Sequence, residues 1–433
     1  MSAVSYRESH IAWLGEIPQH WELMSLGAIF KSRNELNRDK KLTLILSLIK
    51  DRGVIPYSEK GNVGNKAKVD LSQYKIARKN DLVINEMNAV IGSLGVSNAD
   101  GLVSPIYLVL YVYDKSRHLM SYFSFVFGVK ALQESLRQYA SGIMKIRESI
   151  DFLDFKKMKL PAPPLQEQKA IAEFLDRKCG QIQRFITQKE NLIKLLEELR
   201  ESTINETITQ GLDKSVERKP SGVEWLGEIP QHWEIRRFAM LGNFSKGSGL
   251  SRKDIRQDGV PCVLYGDIYT KYDFRILQAI SKTTKEVGEN CPMAINGDIL
   301  IAGSGETKED IGKAVVYGGN ESLCIGGDII LFRPRGINSM FLSYVLNSSY
   351  AKSKKFLMAK GEIIVHIYAS SLRDLQIPLP PLQEQEAIAE YLEGRLAKID
   401  TAIEKTKNQV ELMREYKTSL ISQAVSGKIN IKE

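Results

Sequence analysis

The side chains best suited to chemistry in this chain are clustered cations and amides. Lys31, Arg33, Arg38, Lys40 and Lys41 interleave with Asn34 and Asn37. Lys352, Lys354, Lys355 and Lys360 form a second group with no acid among them. Lys145 and Arg147 lie in Ser141-Gly142-Ile143-Met144-Lys145-Ile146-Arg147, and Lys246, Arg252 and Lys308 stand in the second half. Arginine, lysine and asparagine are the residues that contact phosphates and purine edges. Singly, each such loop is better read as a solvated surface, but recurrence in both halves of the chain favours nucleic-acid binding. The formal net charge of +8 also favours a polyanionic partner over an acidic substrate. The candidate DNA contacts are therefore Lys31, Arg33, Asn34, Arg38, Lys145, Arg147, Lys246, Arg252, Lys308, Lys352, Lys354, Lys355 and Lys360.

Other chemistries lack their residues. A phosphate loop needs glycines and a lysine at fixed spacing followed by a hydroxyl residue. The nearest segment, Gly303-Ser304-Gly305 through Gly312-Lys313-Ala314, has neither the spacing nor the hydroxyl. There is no G-x-S-x-G elbow, no H-E-x-x-H and no Asn-Pro-Pro-aromatic motif. The five histidines, His10, His20, His118, His232 and His366, are too scattered for a metal cage. His20 and His232, flanked by Trp21 and Trp233, read as packing residues. Cys179, Cys262, Cys291 and Cys324 stand alone with no C-x-x-C pair and are expected to be reduced thiols. No stretch reaches the ~20 apolar residues of a membrane span, and the opening MSAVSYRESH lacks a signal-peptide core. The expectation is a cytoplasmic protein with no catalytic residue, metal or cofactor of its own.

What positions the candidate contacts is a chain written twice. Trp13-Leu14-Gly15-Glu16-Ile17-Pro18-Gln19-His20-Trp21-Glu22 recurs unchanged at Trp225–Glu234, an offset of 212. Leu160-Pro161-Ala162-Pro163-Pro164-Leu165-Gln166-Glu167-Gln168 is matched, at an offset of 217, by Ile377-Pro378-Leu379-Pro380-Pro381-Leu382-Gln383-Glu384-Gln385. The stretches between, 23–159 and 235–376, are similar in length and different in sequence. The plan is an opener, a variable body, a proline hinge and a helix, and then the same again.

After Pro164 and Pro381 no proline appears for about fifty residues. Apolar residues then recur at steps of four and three. One series is Leu175, Cys179, Ile182, Ile186, Lys189, Ile193 and Leu196. The other is Leu392, Leu396, Ile399, Ile403, Thr406, Val410 and Met413, each 217 further on. Such heptad seams predict two helices that pair. The matched polar members, Lys189 and Thr406, are of the kind that fixes register. A pseudo-two-fold relation makes the pairing antiparallel, and ~40 residues span ~60 Å, so the bodies are expected at opposite ends of a rod. The pair interface is assigned to Leu175, Ile182, Ile186, Ile193, Leu196, Leu392, Ile399, Ile403, Val410 and Met413.

The bodies read as mixed α/β. Lys79–Asn85 and Asn296–Ala302 are turn-then-strand signals in corresponding places, Val103–Val112 and Asp328–Phe332 read as strands, and Phe123–Gln138 and Phe341–Asn347 as helices. The predicted division is 1–160 (first body), 161–212 (first helix), 213–376 (second body) and 377–433 (second helix).

The WLGEIPQHW opener, the PPLQEQ hinge with its A-I-A-E helix and the duplication around variable bodies resemble the specificity (HsdS-type) subunit of type I restriction–modification enzymes. The resemblance covers essentially the whole chain. Asp81–Val96 and Asp298–Val315 are also similar to target-recognition segments of that family. The resemblance implies an α/β fold of two target-recognition domains separated by two long antiparallel helices. It further implies that each domain reads half of a split double-stranded DNA site, while the helices set the spacing and dock two methyltransferase subunits, with motor-nuclease subunits joining. S-adenosylmethionine, ATP and Mg²⁺ would belong to those partners. Alternative readings are a fused restriction–methylation enzyme, a specificity subunit of another restriction class, and a coiled-coil scaffold that binds no DNA.

Overall fold

The computed structural model describes residues 5–50, 52–62, 66–68, 70–141, 149–224, 226–429 and 431. The chain forms two compact units, one of residues 1–190 and 408–433 and the other of residues 191–407. Each therefore holds one body, the start of one long helix and the end of the other.

The long helices run Leu165–Gln210 and Leu382–Val425. Both begin directly after the proline hinge and end at a glycine in the left-handed region, Gly211 at φ +71° and Gly427 at φ +73°. Their pairing is antiparallel in each unit. In the first, Lys417 bonds Gln183 and Arg414 bonds Glu190. In the second, Lys407 meets Glu197 and Arg200 bonds Asp400. Partner numbers fall on one helix as they rise on the other. The seam is apolar as the heptads require. Leu175, Ile182, Ile186 and Val410 are buried in the first unit with Met413 packed against them. Leu392, Leu396, Ile399 and Ile403 are buried in the second with Ile193 and Leu196 against them. Burying one such side chain contributes ~1.5–3 kcal/mol, so the seam outweighs the exposed ion pairs along it, each worth ~1 kcal/mol at most. Thr406 is buried and its hydroxyl donates to the Ala402 carbonyl, while the half-buried Lys189 holds its ammonium over the Phe185 ring.

Each body is built on the same antiparallel strand order. In the first it is Phe30–Ser32, Tyr107–Val112, Leu82–Asn85 and Leu94–Val96. In the second it is Gly242–Lys246, Ile329–Pro334, Ile299–Ala302 and Ala314–Tyr317, with Arg275–Ile276 added in parallel. The central strands are buried on both faces because alternate residues serve two cores. Ile299 and Ile301 join the core that holds the helices, whereas Leu300 and Ala302 join a core inside the body. Leu82 and Ile84 face one way and Val83 the other in the same fashion.

The strand signals at 79–85 and 296–302 fall on real strands. The helix read as Phe123–Gln138 is split into Met120–Gly128 and Lys130–Ser135, because Val129 is extended. The four cysteines are unpaired. Burial of Cys262 pushes its thiol up to about 12, far from the thiolate that nucleophilic chemistry needs. Among the described residues no helix is long and apolar enough to cross a membrane, and no group of three or more His, Cys, Asp or Glu is placed to hold a metal ion.

Candidate nucleic-acid interface

The repeated sequences form a frame that closes each body. The last residue of each opener and the three after it pair antiparallel with the hinge: Glu22–Ser25 with Lys159–Ala162, and Glu234–Arg237 with Gln376–Leu379. The buried indole of Trp21 donates to Glu167 at 2.9 Å, and His20 bonds the same carboxylate at 2.8 Å. Trp233 and His232 bond Glu384 at 3.1 and 2.7 Å. Glu167 and Glu384 lie in the first turn of each long helix, where a negative charge is also favoured by the helix dipole. The next residue is a buried glutamine with its amide spent on backbone. Gln168 donates to Pro163 and accepts from Leu119 N–H, and Gln385 donates to Pro380 and accepts from Asn338 N–H.

The same tryptophan meets the end of the other helix. A Cβ on Gly427 would lie 2.5 Å from Pro18 and 3.0 Å from Trp21, and one on Gly211 would lie 3.2 Å from Trp233. Each opener thus ties the start of one long helix to the end of the other. Gly427→Ala places a Cβ in a left-handed conformation and against Pro18. It should cost at least ~1–2 kcal/mol and lower the melting point by ~2–4 °C per kcal/mol. Gly180→Ala, on the helix with nothing within 4 Å, should stabilise by ~1 kcal/mol. Calorimetry of both variants checks the pair. An unchanged melting point for Gly427→Ala would refute the glycine's role in closure.

On this frame the bodies carry the candidate contacts, and the structure sorts them. Lys31 is exposed on an edge strand, its ammonium 4.1 Å from the Tyr113 ring centroid. Arg38, Asn34, Lys246, Arg252 and Lys360 are exposed and Lys308 is half-buried. Among the described residues Lys31, Arg38, Lys246, Arg252, Lys308 and Lys360 form no ion pair. Strand Ser304–Gly305 pairs with Val365–His366 and so brings the loops of Lys308 and Lys360 together. Lys145 and Arg147 lie outside the described residues.

One assigned contact is overturned by burial, and three others have protein partners. Lys355 is only 1% exposed and donates at 2.6 Å to the Gly312 carbonyl, and burial lowers its pKa to about 7. It is a core residue and cannot reach a phosphate. Lys352 is exposed and faces Glu201 at 3.9 Å, and Lys354 bonds Glu224 at 3.1 Å, so each has an acid neighbour within its unit. Arg33 makes a two-pronged bond to the buried Asp81, at 2.6 and 3.2 Å, which anchors its strand. Asp298, the counterpart of Asp81, is bound likewise by Arg333, at 2.8 and 2.7 Å. Asn37 is buried and staples Leu42 and Leu71. The signal for Glu167, Gln168 and their partners was present in the repeat; their role required the tertiary contact.

Among the described residues, the Ser304 hydroxyl lies 2.8 Å from Nδ1 of His366. Ser304 is buried, and the bond ties strand Ser304–Gly305 to Val365–His366.

A family model described as the type I restriction modification DNA specificity domain matches this chain twice, over residues 18–195 and 230–412. The chain belongs to the type I restriction–modification DNA specificity family. Over 97% of this chain and 96% of its own length, a putative type I restriction enzyme MjaX specificity subunit of Methanocaldococcus jannaschii is 26% identical. The MjaVIII specificity subunit of the same organism is 23% identical over 96% of this chain and 94% of its own. The specificity family's fold is also seen in a solved chain from work on assembly and conformational transition of the type I R-M system. It superposes with a TM-score of 0.71 at 16% identity, over 95% of this chain and 99% of that one. The HsdS subunit from Thermoanaerobacter tengcongensis gives a TM-score of 0.56 at 17% identity, over 95% and 98%.

Proposed function

We propose that this chain is the non-catalytic DNA-recognition subunit of a type I restriction–modification complex, each body reading one half of a bipartite site. The observation that carries the reading is the double match to a DNA specificity domain, in which two dissimilar bodies sit on one repeated frame. Dissimilar bodies should read different letters, while a shared frame holds their separation. Lys31, Arg38, Lys246, Arg252, Lys308 and Lys360, which form no ion pair among the described residues, are assigned to the phosphates.

The helix pair is assigned as the spacer and as the dock for two methyltransferase subunits, to which motor-nuclease subunits are added. Support comes from exposed apolar residues outside the seam. Leu195 and Leu199 on one helix recur as Leu412 and Tyr416 on the other, each 217 later. A patch that occurs twice suits a partner present twice. S-adenosylmethionine, ATP and Mg²⁺ are assigned to those partners, and adenine methylation and ATP-dependent cleavage to the assembled complex.

The test is DNA binding by the chain with its methyltransferase partners, at varied salt, together with methylation mapping. Six phosphates neutralised give a log–log salt slope near −5, a loss of ~10³-fold between 50 and 200 mM. Alanine at any one of the six cations should reduce the slope by ~1. A bipartite methylated motif is expected. Salt-insensitive binding supports a scaffold instead, and methyl transfer by the isolated chain supports a fused enzyme.

A further inference from the structure

We propose that Ile363 contacts the methyl group of a thymine in the half-site read by the second body. The inference rests on the DNA-reading role above. Residues 360–366 form a tight hairpin: Lys360 N–H donates to the His366 carbonyl at 3.0 Å, and His366 N–H donates back to Lys360 at 2.8 Å. Gly361 sits at φ +104°, and a Cβ there would stand 2.2 Å from the Ile364 carbonyl, so the turn demands glycine. The hairpin's foot is fixed. Val365 and Ile367 are buried in the core that holds the helices, and His366 bonds Ser304 at 2.8 Å. A rigid base therefore presents a tip that contributes nothing to folding, because Ile363 is 90% exposed.

An isoleucine this exposed has no place in a core. Ile364 beside it is 54% exposed as well, and a stable protein interface buries ~800 Å² per partner, more than two adjacent side chains supply. A major groove, by contrast, is ~12 Å wide and admits a two-stranded ribbon, whose strands lie ~4.8 Å apart. The surroundings suit a groove. Lys360, at the hairpin's closing pair, and Lys308, on the loop that continues from the paired strand, are cations with no ion pair among the described residues. Base edges are read mainly through hydrogen bonds, but thymine's own mark in the major groove is its C5 methyl, which apolar side chains contact. Ile363 provides the apolar surface and the lysines reach the phosphates on either side.

The experiment uses the full chain with its methyltransferase partners and a duplex carrying the mapped motif. Each thymine of the second half-site, on either strand, is replaced singly by deoxyuridine, which removes only the methyl group. At one position the affinity should fall about fourfold, the worth of one buried methyl. Ile363→Ala should bind the thymine duplex about fourfold more weakly and bind the thymine and deoxyuridine duplexes equally, with an unchanged melting point. The inference is overturned if no substitution weakens binding, if Ile363→Ala keeps the methyl dependence, or if it loses the methyltransferase subunits instead. Absence of any sequence-specific binding overturns the DNA-reading role and this inference together. Specific binding without a methyl effect overturns this inference alone.

Discussion

Exchanging one body for that of a relative should replace one half of the recognised motif and leave the other half untouched. The strand pair Glu22–Ser25 with Lys159–Ala162 sets the seams for the exchange, at Leu26 and Met158. Several ties that close the first body on the helices lie outside those bounds or are supplied by the repeat: the Trp21–Glu167 bond, the Gly427 contact and the hinge glutamine Gln168. Inside the bounds the body contributes an apolar face to the core shared with the helices and the Tyr122 hydroxyl, which donates to the Val425 carbonyl at 3.2 Å, so the incoming body must keep both. The Gln168 side chain accepts from a body residue, but it takes the Leu119 backbone N–H, which any side chain at that position provides. In the other unit Asn338 N–H occupies the same role. The effect on specificity is large, since each wrong base pair costs ~1–3 kcal/mol. Two wrong letters therefore weaken binding to the old motif at least ~30-fold. Methylation mapping of cells carrying the parent and exchanged chains, each with its partners, measures it directly. Changes in both halves of the motif would refute modular reading.

How far the sequence foretold this depends on whether a feature is local. The long helices were legible because proline, the heptad seam and the absence of further proline act within the segment itself. The central strands were legible for the same reason, as in Asn296–Ala302. Side-chain fates were less so. Lys355 belongs to a group of lysines that reads as a surface patch, yet its long stem packs inward and its amine finds the Gly312 carbonyl, a partner over forty residues away in the chain. Lys352 and Lys354 find Glu201 and Glu224, acids more than a hundred residues distant. Glu167 is the opposite case: its place in the repeat is legible, but its task is not, because the Trp21 indole it accepts from is brought near only when the body closes. Gly211 and Gly427 also recur, and a glycine after a long proline-free heptad run is a recognisable helix stop. Ile363 was unreadable as a special position, since nothing in the sequence separates an exposed isoleucine from a buried one.

Lengthening both helices should lengthen the gap between the half-sites without changing their letters. Four residues inserted after Thr187, matched by four at the equivalent place after Glu404, add ~6 Å of helix. Successive base pairs rise ~3.4 Å, so the rise alone calls for one to two more. Rotation narrows the choice. Four residues turn a helix by ~40° beyond a full turn, and B-DNA at ~10.5 base pairs per turn advances ~34° per pair. One added base pair meets the rotation nearly in full and takes up over half of the rise, so the expected gap is one longer, with two as the upper bound. Inserting into both helices keeps the bonds of Gln183 to Lys417 and of Arg200 to Asp400, which lie on either side of the insertions, in step, while the Glu190–Arg414 and Glu197–Lys407 pairs between them slip by four residues. Neither insertion touches a body, so the half-site letters have no reason to alter. Methylation mapping of the parent and variant reads both quantities at once. An active variant with the parental gap would show that the helices do not measure the spacing, and altered letters would show that they shape the reading surfaces as well.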